Sequence, residues 1–407
     1  MSVSSANTVA TLNGLFKVTY GDKLVNLIPE GTKLVKDTQF IGKDKMPGLQ
    51  FNMPVVLGLE HGISYGGTDE GAFDLQQPIA GQIKEAQVKG NQMLLRSAIG
   101  YAQITRSLGS AAAFQNSTKF LVANMMRSLA RKLEVNLMYG QVGLATVAST
   151  SSNVITITTA EFAPGIWSGS EKMRLEIRSS AGVLRGQCQI TSVNIASYTI
   201  TVDALPIGTV ATDIIWEAGA YGKEAAGLHK IMTNNTVLYN IDASQYALWA
   251  GNSYAAGSAN LTFSKIQSAI ALAVAKGLDS DVNVYVSIYS WPNLLAEQAA
   301  FRKYEVGYTP DKMKQGAKAL EFYGQNGMIR IIPSIYVKAG YAYIVDPNDL
   351  MRVGSTDITF RLQGLDQESF FHVLENNAGV GMRCFSDQAL FSQAPGRSVL
   401  ITGIVNS

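Results

Sequence analysis

Hydrophobic and polar positions follow two different periods along this chain, and the changes of period mark its modules. Between residues 105 and 139, Met125, Leu129, Leu133 and Leu137 recur every four positions, supported by Leu121, Val122 and Met126. That spacing lines one face of a helix. The run contains no Pro, and Gly109 and Gly140 bracket it. A helix of roughly 30 residues would span roughly 45 Å, long enough for other elements to lie along it. Lys119, Arg127, Arg131 and Lys132 fall on the other faces. They read as a solvated face, the ordinary outcome for charge on a helix, rather than as a nucleic-acid site.

After this run the period drops to two. Val154–Thr159, Met173–Arg178, Val183–Val193, Tyr198–Asp203 and Asp213–Glu217 are short β-type runs with turn residues between them. Strands at such spacing predict a small barrel or sandwich over 145–221. It reads as an insertion, because mixed patterns resume beyond it. In 222–365, Phe263, Ile266, Ile270 and Val274 predict an amphipathic helix closed by Gly277. Ser290-Trp291-Pro292 opens another helix. Val282–Ile288, Met328–Ile332, Ala342–Val345 and Ile358–Leu362 read as strands, as do Val380–Phe391 and Ser398–Val405 in the closing segment 366–407.

Ahead of the long helix, the pattern is that of an arm and a hairpin. In 1–48, Leu12, Leu15 and Phe16 suit a short helix, and Tyr20-Gly21-Asp22 a turn. Lys23–Phe40, broken by Pro29 and Gly31, reads as extended and carries Leu24, Val25, Leu27, Ile28, Leu34 and Val35. Such an arm must lie on some surface, its own or a neighbour's. Residues 49–100 read as a long hairpin. Phe51, Met53 and Val55 alternate on the way out, and Ile83, Met93 and Leu95 mark the return. The connection Gly58–Gly81 is rich in Gly and Asp. A loop that long with no core of its own is uncommon in a compact monomer and points to a partner that orders it.

Composition narrows the function. The 407 residues are 47% hydrophobic and only 16% charged, against about 25% charged in ordinary soluble domains. A surface that poor in charge suits a protein that covers much of it with copies of itself. The net charge is +2 with Lys and Arg scattered, so any nucleic-acid contact is diffuse and does not read sequence. Cys188 and Cys384 lie far apart in strand-like runs and read as small buried hydrophobes, which fits a reducing compartment. Residues 1–12 lack the features of a signal peptide, and no run is long and apolar enough to span a membrane. The expected compartment is the cytoplasm.

Candidate chemistry is thin. Gly62-Ile63-Ser64-Tyr65-Gly66 matches the nucleophile-elbow pattern, but Gly67, Thr68, Asp69, Glu70 and Gly71 cannot open the helix that motif needs. His61, His229 and His372 are too scattered for a zinc site. Asp69, Glu70 and Asp74 lack the ligand spacing of a calcium loop and read as a solvated acidic tip. No catalytic, cofactor-binding or metal-ligating residue is assigned, and the chain is not expected to be an enzyme.

The order of modules resembles the tailed-bacteriophage major capsid proteins, which share the Hong Kong 97-type fold. Leu15–Phe40 is similar to that family's N-terminal arm, and Gly222-Lys223-Glu224-Ala225-Ala226-Gly227-Leu228 to its passage out of an inserted β domain. Gly316–Pro333, then Tyr341–Asp346 followed by Leu350, resemble its late A-domain segments. The resemblance implies an α+β chain. Its parts would be an N-terminal arm (1–48), an E-loop (49–100), the spine helix of the P domain (101–144), an inserted all-β domain (145–221), an A domain (222–365) and C-terminal strands of the P and A domains (366–407). No long helical prefix precedes the arm, which implies a separate scaffolding protein. The covalent cross-link known in one member needs a Lys and an Asn. Lys84 or Lys89 with Asn376 or Asn377 could be nominated, but no motif fixes a pair and no cross-link is expected.

The function so implied is a coat subunit. It would form pentamers and hexamers of an icosahedral head, assembled in the host bacterial cytoplasm and found in the virion. Its partners would be further copies of itself, the scaffolding protein, a portal protein, a possible decoration protein at the inserted domain, and packaged double-stranded DNA held without base reading. Three alternatives come from other classes: an encapsulin-like shell around protein cargo, a tail or adhesin protein whose β domain binds glycans, and, last, a hydrolase using Ser64.

Overall fold

A computed structural model describes residues 31–42, 50–68, 71–100, 117–302, 320–360, 372–373 and 379–406. The expectations for Leu12–Asp22, for Asp69 and Glu70, for the helix before Ser117, and for Asn376 and Asn377 lie outside these residues.

In chain order, a helical turn α1 (Leu34–Asp37) leads into β1 (Gln39–Ile41). The arm is therefore not extended throughout. A hairpin follows, β2 (Phe51–Gly58) against β3 (Gln82–Val88), with Phe51 opposite Val88 and Val56 opposite Ile83. The next strand, β4 (Asn91–Gly100), is not part of that hairpin. It pairs over its whole length with β20 (Gly379–Ser392), Asn91 opposite Gln388 and Gly100 opposite Gly379. Met93 and Leu95, read as the hairpin's return, belong to this other sheet. Alternation is the same whichever partner a strand takes, and the turn at Lys89-Gly90 separates the two.

Helix α2 (Ser117–Tyr139) follows, its later turns packed in the main apolar cluster. Met125, Leu129, Leu133 and Leu137 are all buried, whereas Met126 is exposed. The chain then enters a closed six-stranded barrel. It consists of β5 (Ala145–Ser151), β6 (Val154–Ile157), β7 (Arg174–Arg178), β8 (Leu184–Asn194), β9 (Thr199–Val202) and β10 (Ile214–Glu217). Around the barrel the order is β10-β5-β6-β9-β8-β7, with β10 closing onto β7. The turn α3 (Pro164–Trp167) interrupts it. Ile155, Ile157, Leu175, Ile177, Ile190, Ile200 and Ile215 fill the interior. They form one apolar cluster with Leu133 and Leu137 of α2, so barrel and helix share a core.

Beyond the barrel come α4 (Leu228–Met232) and the two-residue strands β11 (Val237–Leu238) and β12 (Ile241–Asp242). A mixed sheet then forms from β13 (Asn252–Ala259), β14 (Val282–Ser287), β15 (Leu320–Tyr323), β16 (Met328–Ser334), β17 (Ala342–Val345) and the late strand β21 (Val399–Ile404). Its order is β13-β21-β17-β14-β16-β15. Helix α5 (Phe263–Val274) lays Ile266, Ala269, Ile270 and Ala273 on that sheet, capped by Thr262 accepting from the Lys265 amide. Helix α6 (Trp291–Arg302) follows β14. Strand β18 (Leu350–Thr359), read from sequence within 222–365, lies in the second sheet, of order β1-β18-β20-β19, where β19 is His372–Val373 and β4 also joins β20.

Candidate assembly surface

The foot of the hairpin packs and its far end does not. Ala86 and Val88 are buried with Trp249, Met351 and Phe391, and Phe51 meets the Phe391 ring edge-on at 5.1 Å. Farther out, Leu59 is 75% exposed, Tyr65 84% and Leu75 81%. Val56, Ile63, Phe73, Ile79 and Ile83 are exposed as well. Apolar side chains concentrated on one projecting element mark an interaction surface rather than ordinary scatter. Within the described part of the loop, the His61 amide donates to the Ile79 carbonyl (3.1 Å) and the Gln76 amide to Ser64 Oγ (2.7 Å).

The described part of the arm is bound to its own subunit. Leu34 is fully buried against α2. The Glu134 carboxylate of that helix accepts the amides of Lys33, Leu34 and Val35 at 2.9, 2.9 and 2.8 Å. These are first-turn donors of α1, which have no partner inside their own helix. Burial raises the Glu134 pKa, and the three amides oppose the rise. Tyr285 OH donates to Asp37 Oδ2 at 2.7 Å. Arg352, itself buried, donates from Nε to the Thr38 carbonyl at 3.3 Å. Strand β1 then pairs in parallel with β18, Gln39 opposite Met351.

Two cations of α2 hold the barrel and are not a solvated face. Arg131 donates to the carbonyls of Gly165, Ile166 and Ser168. Lys132 pairs with Glu217 on β10. Both follow from barrel and helix sharing a core, which turns that side of α2 inward. A third cation, Lys338, is almost fully buried where helix, barrel and mixed sheet meet. Its Nζ lies 4.4 Å from the Tyr139 ring centroid, 3.8 Å from Glu161 Oε2 and 3.4 Å from the Gly143 carbonyl. Desolvation lowers its pKa.

Sequence reasoning did not single out Glu134, Lys338 or Arg352. A signal for Glu134 was present, because it continues a second four-residue stripe, Met126, Ala130, Glu134, Met138. An acid in register with apolar positions is a candidate buried group. Lys338 and Arg352 carry no comparable local mark.

The motif residues do not converge. Ser64 lies in an irregular, exposed stretch with no helix among the described residues between it and β3, and its hydroxyl accepts the Gln76 amide. His229 is half-buried beside Tyr139, Tyr341 and Tyr343, with Nδ1 at 3.0 Å from Tyr343 OH. Burial and the nearby Lys338 push its pKa down to about 3, so it is neutral. Asp74, Lys84 and Lys89 are exposed. Cys188 and Cys384 are buried free thiols raised to about 11 by desolvation, and so unreactive. Among the described residues, no helix is long and apolar enough to cross a membrane.

No protein-family model matches this chain, and no curated protein sequence does. Solved structures do match it from end to end. The capsid asymmetric unit of cyanophage A-1(L) aligns over 98% of this chain and 99% of its own, at 12% identity and a TM-score of 0.58. This chain has the Hong Kong 97-type capsid fold. The capsid fold also aligns with the capsid of a native GTA particle, over 98% and 100% of the two chains, at 9% identity and a TM-score of 0.52. A structure of Mycobacterium phage Bobi aligns over 98% and 99%, at 9% identity and a TM-score of 0.51. At these identities the likeness is one of architecture.

Proposed function

We propose that this chain is the major capsid protein of a tailed phage. On this reading it forms pentamers and hexamers by head-to-tail contacts that close into rings, and these rings tile an icosahedral head around double-stranded DNA. The hairpin is the E-loop, α2 the spine helix of the P domain, and the six-stranded mixed sheet with α5 the A domain. The barrel is the inserted domain, where a decoration protein would bind. A scaffolding protein and a portal complete the list of partners. DNA meets scattered Lys and Arg on the inner face, without base reading.

The observation that carries this reading is the hairpin. A capsid-type subunit holds its foot in a packed core and leaves Leu59, Tyr65 and Leu75 in solvent. An isolated subunit gains nothing from that exposure, and an assembled one covers it.

Electron microscopy of the chain expressed with and without its scaffolding protein tests the proposal. Closed shells, or rings of five and six, are expected. A stable monomer under both conditions overturns it. Deletion of 58–81 is expected to leave a folded subunit that closes no shells.

A further inference from the structure

The barrel carries an apolar patch that its own subunit does not cover. Ile207 is 96% exposed, and Val183, Leu184 and Val210 are exposed as well. They stand on two neighbouring segments, the turn from β7 into β8 and the link from β9 to β10. Asp213 ties the segments together, its Oδ2 accepting from Arg185 Nε at 3.2 Å and from the Val210 amide at 3.0 Å. The barrel interior is already filled by its isoleucines, so these side chains have no place inside it. Nor does Ile207 sit on a loose loop. Thr209 closes a turn onto the Pro206 carbonyl, with its amide at 3.3 Å and its Oγ1 at 2.7 Å. Gly208 supplies the positive φ, 81°, that such a turn takes at its third position. The turn therefore presents an isoleucine to solvent in one fixed conformation.

The patch is also without charge. Residues 179–184 and 204–212 contain no Asp, Glu, Lys, Arg or His. Arg185, which follows the first segment, is paired with Asp213, which follows the second. Two consequences select the partner. An uncharged surface can face its own copy with no like charges opposed, which a charged one could not do without cost. In addition, four apolar side chains fall well short of the roughly 800 Å² per partner that holds a stable complex from solution. The partner must therefore be kept close by other contacts. A neighbouring copy in a shell is kept close in this way, at a high effective concentration.

We propose that this patch meets the same patch on a second copy of this chain, across a local two-fold axis. The inference rests on the assembly reading above and adds to it a contact of a different kind. Head-to-tail contacts close a ring, whereas a self-complementary contact pairs two copies and so joins one ring to the next.

Ile207→Cys in the full chain tests this, with Val210→Cys as a second position. The native thiols Cys188 and Cys384 are buried, so the introduced thiol is the one that reacts. Mild oxidation of assembled particles is expected to give disulfide-linked dimers of the chain, and oxidation of free subunits at the same concentration is not. Ile195→Cys, exposed on the turn from β8 into β9, is expected to give none in either state. In parallel, Ile207→Asp with Val210→Asp should lower particle yield about tenfold at low salt, and added salt should restore it by screening the opposed carboxylates. Circular dichroism of the free subunits separates failed assembly from failed folding, and the cysteine variants do not depend on the charged one. Particles in which neither introduced cysteine forms dimers, or in which it links to a different polypeptide, overturn the barrel contact and leave the assembly reading standing. An unmodified chain that forms no particles overturns both.

Discussion

Glu134 Oε1 and the backbone amide of Leu34 sit 2.9 Å apart although 100 positions separate them in sequence. With the amides of Lys33 and Val35 on the same carboxylate, this joins the arm to the central helix. A buried donor left without its acceptor costs about 1–3 kcal/mol. Glu134→Ala should therefore destabilise the subunit by about 2–4 kcal/mol and speed tryptic cleavage at Lys33 and Lys36. Glu134→Gln keeps one acceptor oxygen and should lose less. Urea unfolding and limited proteolysis measure both effects, and an unchanged urea midpoint with unchanged cleavage in Glu134→Ala would sink the idea.

The pair Lys338 and Glu161 should respond asymmetrically to substitution. Lys338 is almost fully buried, and its contacts at 3.4 and 3.8 Å are long. Removing one partner of a buried ion pair costs about 3–5 kcal/mol when the charge left behind stays buried and uncompensated. Glu161 is partly exposed and keeps a hydrogen bond from Thr146 Oγ1 at 2.9 Å whatever happens to Lys338. Lys338→Met should then lie within about 1 kcal/mol of the parent, and Glu161→Ala should be clearly destabilised. Thermal unfolding of the two variants decides, and the reverse order contradicts the account.

Asp349 gives the fold a pH dependence. Burial raises its carboxyl to about 6, Asp346 adds to the rise, and Arg397 at 3.6 Å opposes it. Below about pH 4 the group is protonated folded or unfolded and contributes nothing to the difference. Between about 4 and 6 the folded protein holds a proton that the unfolded chain has released, so stability falls as pH rises through that window. Above it the penalty is constant. Asp349→Asn removes the penalty, so the variant should gain on the parent between about pH 4 and 6.5 and hold that gain beyond. A stability difference flat across that range removes Asp349 from the account.

Local pattern carried much of the architecture. Leu129, Leu133 and Leu137 placed the central helix, and the short runs between Val154 and Glu217 placed the barrel strands. Ile266 and Ile270 placed α5. What the pattern could not supply was the partner of each element. Period two says that Met93 and Leu95 share a face. It does not say that this strand pairs with β20 some three hundred positions later instead of with β2. The same gap hid the functions of Arg131 and Lys132, whose surroundings are a turn and a strand of the barrel. The exposed hairpin end was legible for a different reason. A segment with apolar residues and no period has nowhere to bury them within itself.

The barrel and the sheet of β1, β18, β20 and β4 differ in how their strands are drawn from the chain. The barrel is made from one contiguous stretch, Ala145–Glu217, and can close soon after that stretch leaves the ribosome. The sheet needs Gln39–Ile41 and Asn91–Gly100 to wait for Leu350–Thr359 and Gly379–Ser392. Pairings that distant in sequence form slowly, and unpaired strand edges in the interval invite aggregation. Until β18 is made β1 has no strand to pair with, and β4 has none until β20 is made. The nascent chain therefore needs protection at β1 and β4 through the synthesis of some three hundred residues, while the barrel between them and their partners is already closed.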